Sequence, residues 1–361
     1  MKILFVVEHF YPYIGGAEKL FYELAKTLAT KGHEIWVVTT QHEEQLPLDE
    51  KMEGINIKRI PCRNRFLFTF LSLSTILRIA KDCDVLHTTT YNAALPAWLA
   101  GQLKGKRVII TFHEVWGSLW WRLPYLNFFQ KLIYYTYEQL ILKLSFYKYV
   151  AVSDFTKKAL EDSGISANRV IRIYNGLEYS EFEGYVHNAP KQFTYTFFGR
   201  LGVSKGLDLL LPAAKAFSDL HPNSRLKLIL PKQPKALFAK VKSMIQELEL
   251  EDHVQFLHEL SKEELYKEIV NSSCIVIPSY SEGFCFAAAE TIALGVPIIS
   301  SQKGALAEVV SGKYLPIDPF DLKGLLAVLV KAIKGDWKLT DKRPFHLEQT
   351  VEAYLALYND C

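Results

Sequence analysis

Two successive series of short apolar runs, alternating with helical segments, are the feature that most limits how this chain can fold. The first series predicts strands from Ile3–Val7 through Val170–Ile173, and the second predicts strands from Phe193–Phe198 through Pro297–Ser300. Between the runs, apolar residues recur at helical spacing. This alternation is typical of parallel sheets with helices on both faces. We therefore expect an α/β protein with two doubly wound, Rossmann-like domains and a cleft between them.

The boundary between the two series is predicted from a polar stretch, Glu178–Lys191. A chain of 361 residues is long enough for two domains. We predict a first domain over residues 1–177 and a second over 178–344. The last segment, 345–361, repeats apolar residues at helical spacing over Thr350–Tyr358 and is predicted to form a final helix.

Composition excludes several classes of protein. The chain has 42 basic and 39 acidic residues, a net charge of +3, which is too mild to indicate a nucleic-acid-binding protein. Five scattered cysteines without a CxxC pair disfavour a disulfide framework or a zinc ribbon and favour a reducing cytosol. The apolar run at the start is too short for a signal peptide, and no stretch reaches the roughly 20 apolar residues of a membrane span. A cytoplasmic location is expected.

A glycine pair, Gly15-Gly16, lies between the first predicted strand and the first predicted helix. Glycine lets a backbone approach a ligand closely, and the start of a helix offers free N–H groups to an anion. The surrounding sequence is not GxGxxG, so the fingerprint of nicotinamide dinucleotide binding is absent. A tight turn without a ligand is the alternative interpretation.

Two cations follow the first strand of the second series. Arg200 and Lys205 lie on a glycine-containing loop before a helix, Gly199–Gly206. A forked guanidinium and an ammonium in such a loop suit a pyrophosphate group. The alternative is a pair of surface cations on a loop.

Two carboxylates lie near the end of the second series. Glu282 is on a loop after a strand, and Glu290 is inside an apolar helix that starts near Cys285. A carboxylate among apolar residues is costly unless it has a hydrogen-bond partner, such as a sugar hydroxyl. The alternatives are an exposed loop acid for Glu282 and a solvated helix face for Glu290.

Taken together, these features resemble GT-B retaining glycosyltransferases of the large family 4 group. The resemblance covers nearly the whole chain and depends on four matches in the right order: Gly15-Gly16-Ala17-Glu18, Asn175-Gly176, Gly199-Arg200-Leu201 with Lys205-Gly206, and Glu282 with Glu290. It implies a two-domain GT-B enzyme whose final helix crosses back onto the first domain.

The resemblance also implies roles for individual residues. The donor diphosphate is expected to contact Gly15 and Gly16 on one side and Arg200 and Lys205 on the other. The expected catalytic residues are Glu282, His113, Arg200 and Lys205. The expected donor-binding residues also include Asn175, Gly283, Phe284, Cys285, Phe286 and Glu290, with Glu290 on the nucleotide ribose and His113 near the transferred sugar.

Two positions depart from the family pattern. Cys285 stands where these enzymes usually have a glycine, so a side chain enters near the donor phosphates. Pro231–Pro234 replaces a usual Gly-x-Gly turn. Asp82-Cys83-Asp84 imitates the metal-binding Asp-x-Asp of another glycosyltransferase fold, but Asp84 opens a predicted strand. We therefore expect no metal site and no cofactor besides the donor substrate.

Two segments of the first half have the composition of a membrane-surface protein. Gly54–Lys81 contains six basic residues and no acid, and Trp116–Tyr149 contains 12 aromatics. Basic residues beside aromatic ones suit an interface with anionic lipid, and Trp120 and Trp121 are predicted to insert at the headgroups. The alternative is that these aromatics are core and the acceptor is a soluble sugar. Stacking on nucleic acid is disfavoured by the glycosyltransferase resemblance.

The function expected from all of this is transfer of a hexose or N-acetylhexosamine from a UDP- or GDP-sugar, with retention of configuration. The acceptor is expected to be a lipid-linked or membrane-associated glycan, and the protein peripheral to the cytoplasmic face of a membrane. A UDP-sugar 2-epimerase shares the fold and stays open as an alternative. A two-lobed solute-binding protein would need an export signal.

Overall fold

The structure, a computed structural model, describes residues 1–13, 15–62 and 65–360. The chain divides into two compact units. The first comprises Met1–Trp120, Phe129–Gly176 and the chain from His346 onward, and the second comprises Trp121–Phe128 and Leu177–Phe345. The boundaries predicted after residues 177 and 344 lie one residue from this division. The prediction was wrong for Trp121–Phe128, which was assigned to the first domain but groups with the second unit.

The first unit contains a mainly parallel sheet with the strand order β3-β4-β2-β1-β5-β6-β7-β8 in the described residues. Its strands are β1 (Lys2–Val6), β2 (Glu34–Thr40), β3 (Asp49–Met52), β4 (Ile55–Ile60), β5 (Val85–Thr89), β6 (Val108–Phe112), β7 (Lys148–Ala151) and β8 (Val170–Arg172). Strand β3 pairs antiparallel with β4. The helices of this half are α1 (Gly16–Thr30), α2 (Arg65–Leu71), α3 (Leu73–Ala80), α4 (Ala94–Lys104), α5 (Phe128–Lys143), α6 (Asp154–Asp162) and the final helix α13 (Leu347–Asn359).

The second unit repeats the arrangement, with the strand order β11-β10-β9-β12-β13-β14-β15 in the described residues. Its strands are β9 (Thr194–Phe198), β10 (Arg225–Ile229), β11 (Val254–Leu257), β12 (Cys274–Ile277), β13 (Ile298–Ser300), β14 (Lys313–Pro316) and β15 (Lys338–Leu339). The edge strand β15 pairs antiparallel with β14. The helices are α7 (Leu207–Leu220), α8 (Lys235–Glu247), α9 (Lys262–Val270), α10 (Phe286–Ala293), α11 (Leu306–Val309) and α12 (Leu322–Lys334).

Burial explains why the apolar runs became strands. Strands β1 and β12 are buried along nearly their whole length, as expected for central parallel strands covered on both faces. Helix α1 places Leu20, Leu24 and Leu28 on one buried stripe.

The segment Gly54–Lys81 differs from its prediction as a basic membrane surface. Its first part forms β4, where Lys58 pairs with Asp49 and Arg59 pairs with Glu50. Arg59 is itself buried. Arg63, another predicted surface cation, lies outside the described residues. The opposing acids lie outside the segment, on β3, which the sequence pattern did not reveal.

Helix α13 groups with the first unit, where the family resemblance places it. The Tyr358 hydroxyl is 2.6 Å from Nδ1 of His87 on β5, and the Tyr354 hydroxyl is 3.0 Å from the hydroxyl of Thr111 on β6. Gly176 allows the returning chain to pass, since a Cβ there would lie 2.4 Å from Cα of Leu347. The glycine of the Asn175-Gly176 match is therefore required by packing.

Each sheet reverses its strand order at one central pair. In the first sheet this switch point lies between β1 and β5, and in the second it lies between β9 and β12. Open α/β sheets bind ligands outside the carboxyl ends of the strands at such switch points. The loops that follow these four strands are therefore the places to look for a site.

Candidate active site

In the second unit, the loops after β9 and β12 are locked to each other. A Cβ at Gly206, where φ is +70°, would lie 1.9 Å from the carbonyl oxygen of Pro278, so only glycine fits. The backbone N–H of Tyr280 donates to the carbonyl of Ser204 over 2.7 Å. The predicted cation loop and the predicted carboxylate loop thus form one rigid surface at the switch point.

A buried ion pair joins these two loops. Nζ of Lys205 donates to Oε1 of Glu282 over 2.7 Å, and the Ser279 hydroxyl donates to the same oxygen over 2.6 Å. The side chains of Lys205 and Glu282 are only 23% and 9% exposed. Burial opposes the ammonium charge, but the Glu282 carboxylate outweighs it and raises the pKa of Lys205. Lys205 is therefore a fixed cation, not a mobile surface charge.

Arg200 adds a second cation to this surface. It is exposed on the same loop, and its charge acts against that of Lys205. A half-enclosed ammonium beside an exposed guanidinium can neutralise a polyphosphate, with the guanidinium binding two oxygens at once.

The start of helix α10 lies directly after Glu282. Cys285 caps this helix with φ at +77°, a conformation that favours glycine. Burial, reinforced by the Glu282 carboxylate, raises the pKa of the Cys285 thiol, which stays protonated. Phe284 is buried against Phe286 and Phe345, so its backbone, not its ring, is available to a ligand.

Both predicted carboxylates are buried in the second unit. Glu282 is 7% exposed and Glu290, on α10, is 9% exposed. The alternatives of an exposed loop acid and a solvated helix face are therefore wrong. Enclosed carboxylates beside a helix start are suited to binding hydroxyl groups.

The predicted glycines of the first unit lie at the start of α1. Gly15 caps this helix in an extended conformation, and Gly16 is its first residue. Ile14 lies outside the described residues. Glu18, in the first turn, is buried, and its Oε2 accepts no hydrogen bond from the described residues.

His113 and Asn175 both follow strands of the first sheet. His113 comes directly after β6, is half-buried, and its ring centroid is 6.3 Å from that of Phe21. Asn175 follows β8 and is buried, and its Oδ1 accepts no hydrogen bond from the described residues. An enclosed acceptor of this kind is available to a ligand donor.

A polar cluster at the first switch point was missed by sequence reasoning. Glu8, just past β1, is buried and pairs with Arg65 of α2, and the amide of Asn92 donates to its Oε2 over 2.8 Å. Burial opposes the charge of Glu8, but His9, Arg65 and Asn92 together lower its pKa. The only sequence signal was the position of Glu8 after the first strand.

The tryptophans of the first half are held by a buried acid. Glu138 of α5 accepts from the backbone N–H groups of Trp116 (2.9 Å) and Gly117 (2.7 Å) and from the Trp120 indole (3.3 Å). Burial raises the pKa of Glu138. Trp120 is 5% exposed, so its predicted insertion into lipid headgroups was wrong, whereas Trp121 is 38% exposed.

Apolar side chains cover the outer faces of two neighbouring helices. On α5, Phe129, Leu132, Ile133 and Leu140 are exposed along one stripe, opposite the buried Glu138, Ile141 and Leu142. On α2, the exposed residues are Phe66, Leu67, Phe70 and Leu71. Tyr137 of α5 lies beside Thr69 of α2. We call these eight side chains the apolar patch.

A surface helix of a water-soluble protein normally turns its polar face outward, so the apolar patch is inverted relative to that pattern. Within the described residues, no helix is both long and apolar enough to cross a bilayer.

Comparison with known proteins identifies the class. The family model for Glycosyltransferase Family 4 matches residues 14–181, and that for Glycosyl transferases group 1 matches residues 182–340. The chain therefore belongs to the family 4, group 1 glycosyltransferases with the GT-B fold, and it is a glycosyltransferase.

Two curated relatives illustrate the range of this similarity. A protein of the human phosphatidylinositol N-acetylglucosaminyltransferase is 21% identical, over 92% of this chain and 68% of that protein. The GDP-mannose:cellobiosyl-diphosphopolyprenol alpha-mannosyltransferase of Xanthomonas oryzae pv. oryzae is 26% identical, over 83% of this chain and 78% of its own.

Solved structures show the same fold. Sucrose-phosphate synthase from Thermosynechococcus elongatus superposes with a TM-score of 0.82 at 20% identity, covering 99% of this chain and 98% of its own. Anabaena HepE in complex with UDP and glucose gives 0.75 at 16% identity over the full length of both chains. At these identities the likeness supports the two-domain GT-B architecture alone.

Proposed function

We propose that this glycosyltransferase moves a hexose or N-acetylhexosamine from a UDP- or GDP-sugar to a lipid-linked or membrane-associated glycan. We further propose that it retains the anomeric configuration, needs no metal ion, and works at the cytoplasmic face of a membrane.

The observation that carries this proposal is the buried Lys205–Glu282 pair at the switch point of the second sheet. In transfer from a nucleotide diphosphate sugar, negative charge develops on the departing diphosphate. Lys205 and Arg200 are cations positioned before the donor arrives, and such preorganised charge stabilises a leaving group. The N–H groups at the start of α10 add a further partial positive charge.

The two carboxylates are proposed to act at different parts of the donor. Glu282, held at the loop by Lys205 and Ser279, contacts the transferred sugar together with the backbone of Gly283. Glu290, farther along α10, binds the nucleotide ribose. We assign no covalent nucleophile, and the proposed retention follows from attack on the face that the diphosphate leaves.

For the first unit, we propose that the start of α1 at Gly15 and Gly16 binds an anionic group. His113 is proposed to contact the transferred sugar and Asn175 to accept a hydrogen bond from the donor. The enclosed Oδ1 of Asn175 supports that last role.

The proposal of a membrane-borne acceptor is supported by the apolar patch. An exposed apolar stripe on a helix is suited to the boundary between headgroups and acyl chains. Lys143, the last residue of α5, is exposed and able to bind anionic headgroups. The names of the two relatives point the same way, since one concerns phosphatidylinositol and the other a diphosphopolyprenol.

The test is incubation with UDP- and GDP-linked glucose, mannose, galactose and N-acetylglucosamine in the presence of membrane lipid extract. Release of nucleotide diphosphate is followed, and NMR defines the sugar product. We expect an α-linked glycolipid from an α-linked donor, with activity that survives EDTA. A free epimerised sugar, a β-linked product, or an activity lost to EDTA and restored by magnesium would each contradict the corresponding part of the proposal.

A further inference from the structure

We propose that Arg65, at the carboxyl edge of the first sheet, binds the phosphate or diphosphate group of the lipid-linked acceptor. This inference rests on the proposed function, because it names the chemical group by which that acceptor is held.

The location is the switch point of the first sheet. Glu8 lies two residues past the end of β1, and Asn92 lies three residues past the end of β5. The Asn92 amide donates to Oε2 of Glu8 over 2.8 Å and so joins the ends of the two strands between which the strand order reverses. The first unit thus has a ligand-binding crevice of the usual kind, formed by its own strands.

Arg65 is held in this crevice by a forked contact. Its Nε is 2.7 Å from Oε1 of Glu8, and its Nη2 donates to Oε2 over 3.0 Å. Glu8 thereby engages two of the five N–H groups of a guanidinium and fixes the plane of the others. The side chain of Arg65 is 53% exposed, whereas that of Glu8 is 8% exposed. The acid is therefore a buried support, and the guanidinium is the group that solvent, or a ligand, reaches.

The charge of the cluster favours an anionic ligand. The single negative charge of Glu8 is offset by Arg65, and Nε2 of His9 lies 3.3 Å from Oε1 of the same carboxylate. The lowered pKa of Glu8 keeps the ion pair intact at neutral pH. A preoriented guanidinium binds two phosphate oxygens at once.

The surroundings of Arg65 favour a phosphate that carries a hydrocarbon chain. Arg65 is the first residue of α2, and the exposed side chains of that helix belong to the apolar patch. Tyr134 of α5 is close enough to influence the charge of Arg65. A lipid phosphate could place its anionic group on the guanidinium and its chain along the patch, whereas free phosphate satisfies only the charge.

The experiment is titration calorimetry on the full chain with three probes. Farnesyl diphosphate carries both features, inorganic pyrophosphate carries only the anion, and farnesol carries only the chain. The variants are Arg65→Gln, Arg65→Lys, Lys205→Ala and, as a matched loss of a charge from the same stretch, Arg78→Gln.

We expect farnesyl diphosphate to bind the parent, Lys205→Ala and Arg78→Gln alike, and to bind Arg65→Gln about 10- to 100-fold more weakly, since a hydrogen-bonded charge contributes that much. Arg65→Lys should lose about tenfold, because an ammonium lacks the fork. Arg65→Lys also keeps a cation beside Glu8, so it carries the test if Arg65→Gln does not fold. Pyrophosphate should bind the parent more weakly than farnesyl diphosphate does, and farnesol more weakly still.

Three results would overturn the inference. One is unchanged affinity in both Arg65 variants. Another is farnesol binding as tightly as farnesyl diphosphate. The third is loss of binding in Lys205→Ala alone, which would put the diphosphate on the second unit.

Vesicles of phosphatidylcholine, with and without phosphatidic acid, separate acceptor phosphate from bulk headgroups. Arg65→Gln and Arg78→Gln should weaken vesicle binding equally. A loss specific to Arg65 on phosphatidic acid would assign the site to headgroups and overturn the acceptor assignment. Because these readouts need no turnover, a failure of the proposed transfer reaction would be seen separately.

Discussion

The carboxyl edges of the two sheets have the same elements arranged for different purposes. Each has a buried glutamate after a central strand, paired with a cation from another segment: Glu8 with Arg65 in the first unit, and Glu282 with Lys205 in the second. In the second unit the cation is a half-enclosed ammonium on a glycine loop. In the first it is a half-exposed guanidinium at the start of an apolar helix.

The difference is chemical. An enclosed ammonium acts as a fixed point charge and suits a leaving group that must be stabilised during reaction. An exposed fork suits recognition of a planar anionic group that arrives from outside. The same fold motif therefore supports a reaction in one unit and recognition in the other.

Removal of Lys205 tests the reactive edge and should have the largest effect. Lys205→Ala is expected to lower turnover by roughly 100-fold or more, because one charge-stabilising donor is lost. Nucleotide diphosphate release measures it. Lys232→Ala, which removes an exposed lysine from another loop of the same unit, is the control and should leave turnover unchanged. A fall of less than threefold for Lys205→Ala, roughly the scatter of single surface changes, would show that the two edges do not differ in this way.

Polar replacement of the apolar patch tests the other side of the comparison. Phe129 and Ile133 are 72% and 55% exposed on α5. The double variant Phe129→Ser with Ile133→Ser should bind anionic vesicles about 10- to 100-fold more weakly, since burial of each side chain in lipid is worth about 1.5–3 kcal/mol. Its thermal stability should not fall.

The matched control for the patch is Val186→Ser with Leu339→Ser, which changes two residues of the second unit that are 78% and 77% exposed. These changes should leave vesicle co-sedimentation as it is in the parent. Equal losses in the two double variants would mean that the patch has no special relation to lipid.

The buried histidine beside the first switch point gives a pH dependence. His87 on β5 contacts Tyr358 and Thr111, and burial lowers its pKa to about 3. The unfolded chain takes up a proton near pH 6.5 that the folded chain refuses, so stability falls as the pH drops from about 6.5 toward 3.

The slope from this histidine is up to about 1.4 kcal/mol per pH unit. His87→Gln removes the titrating group but keeps hydrogen-bonding capacity. The unfolding free energies of the two proteins, measured between pH 7 and pH 5, should converge as the pH falls, by at most the slope given above. Parallel curves would show that His87 does not titrate on unfolding.

The smallest expected effect comes from Cys285→Gly. Cys285 has a φ of +77° at the cap of α10, and glycine would relieve a strain of about 1 kcal/mol. The variant should be slightly more stable in thermal unfolding and should bind the nucleotide sugar a few-fold more tightly, because the thiol no longer approaches the phosphates. Cys62→Gly, at a half-buried cysteine of the first unit, is the comparison. Weaker donor binding in Cys285→Gly would show that the thiol contributes a contact.

Most of the reactive edge could be predicted from the sequence. The strands of the second series were predicted within a residue or so through β13, and the residues of each loop are close in sequence, as in Gly199–Gly206 and Glu282–Glu290. Local spacing is enough to place such residues at the end of a strand. The pairing of Lys205 with Glu282 was not predicted, because these residues are 77 positions apart.

The recognition edge could not be predicted in this way. Arg65 and Asn92 reach Glu8 from 57 and 84 positions away, and neither belongs to a short motif. The basic stretch Gly54–Lys81 gave a misleading signal, because its charges near β4 are neutralised by acids of β3.

What the sequence by itself determined is the order of strands and helices, the two-domain α/β class, and the contiguous loops of the second unit. These follow from periodicity and from residues that are neighbours along the chain. The tertiary structure decided which charges meet, and which face of α5 is exposed. Helix α5 has apolar residues on more than one side, so its periodicity leaves the choice open until Glu138 is buried against the Trp116–Trp120 loop and turns Phe129 and Ile133 outward.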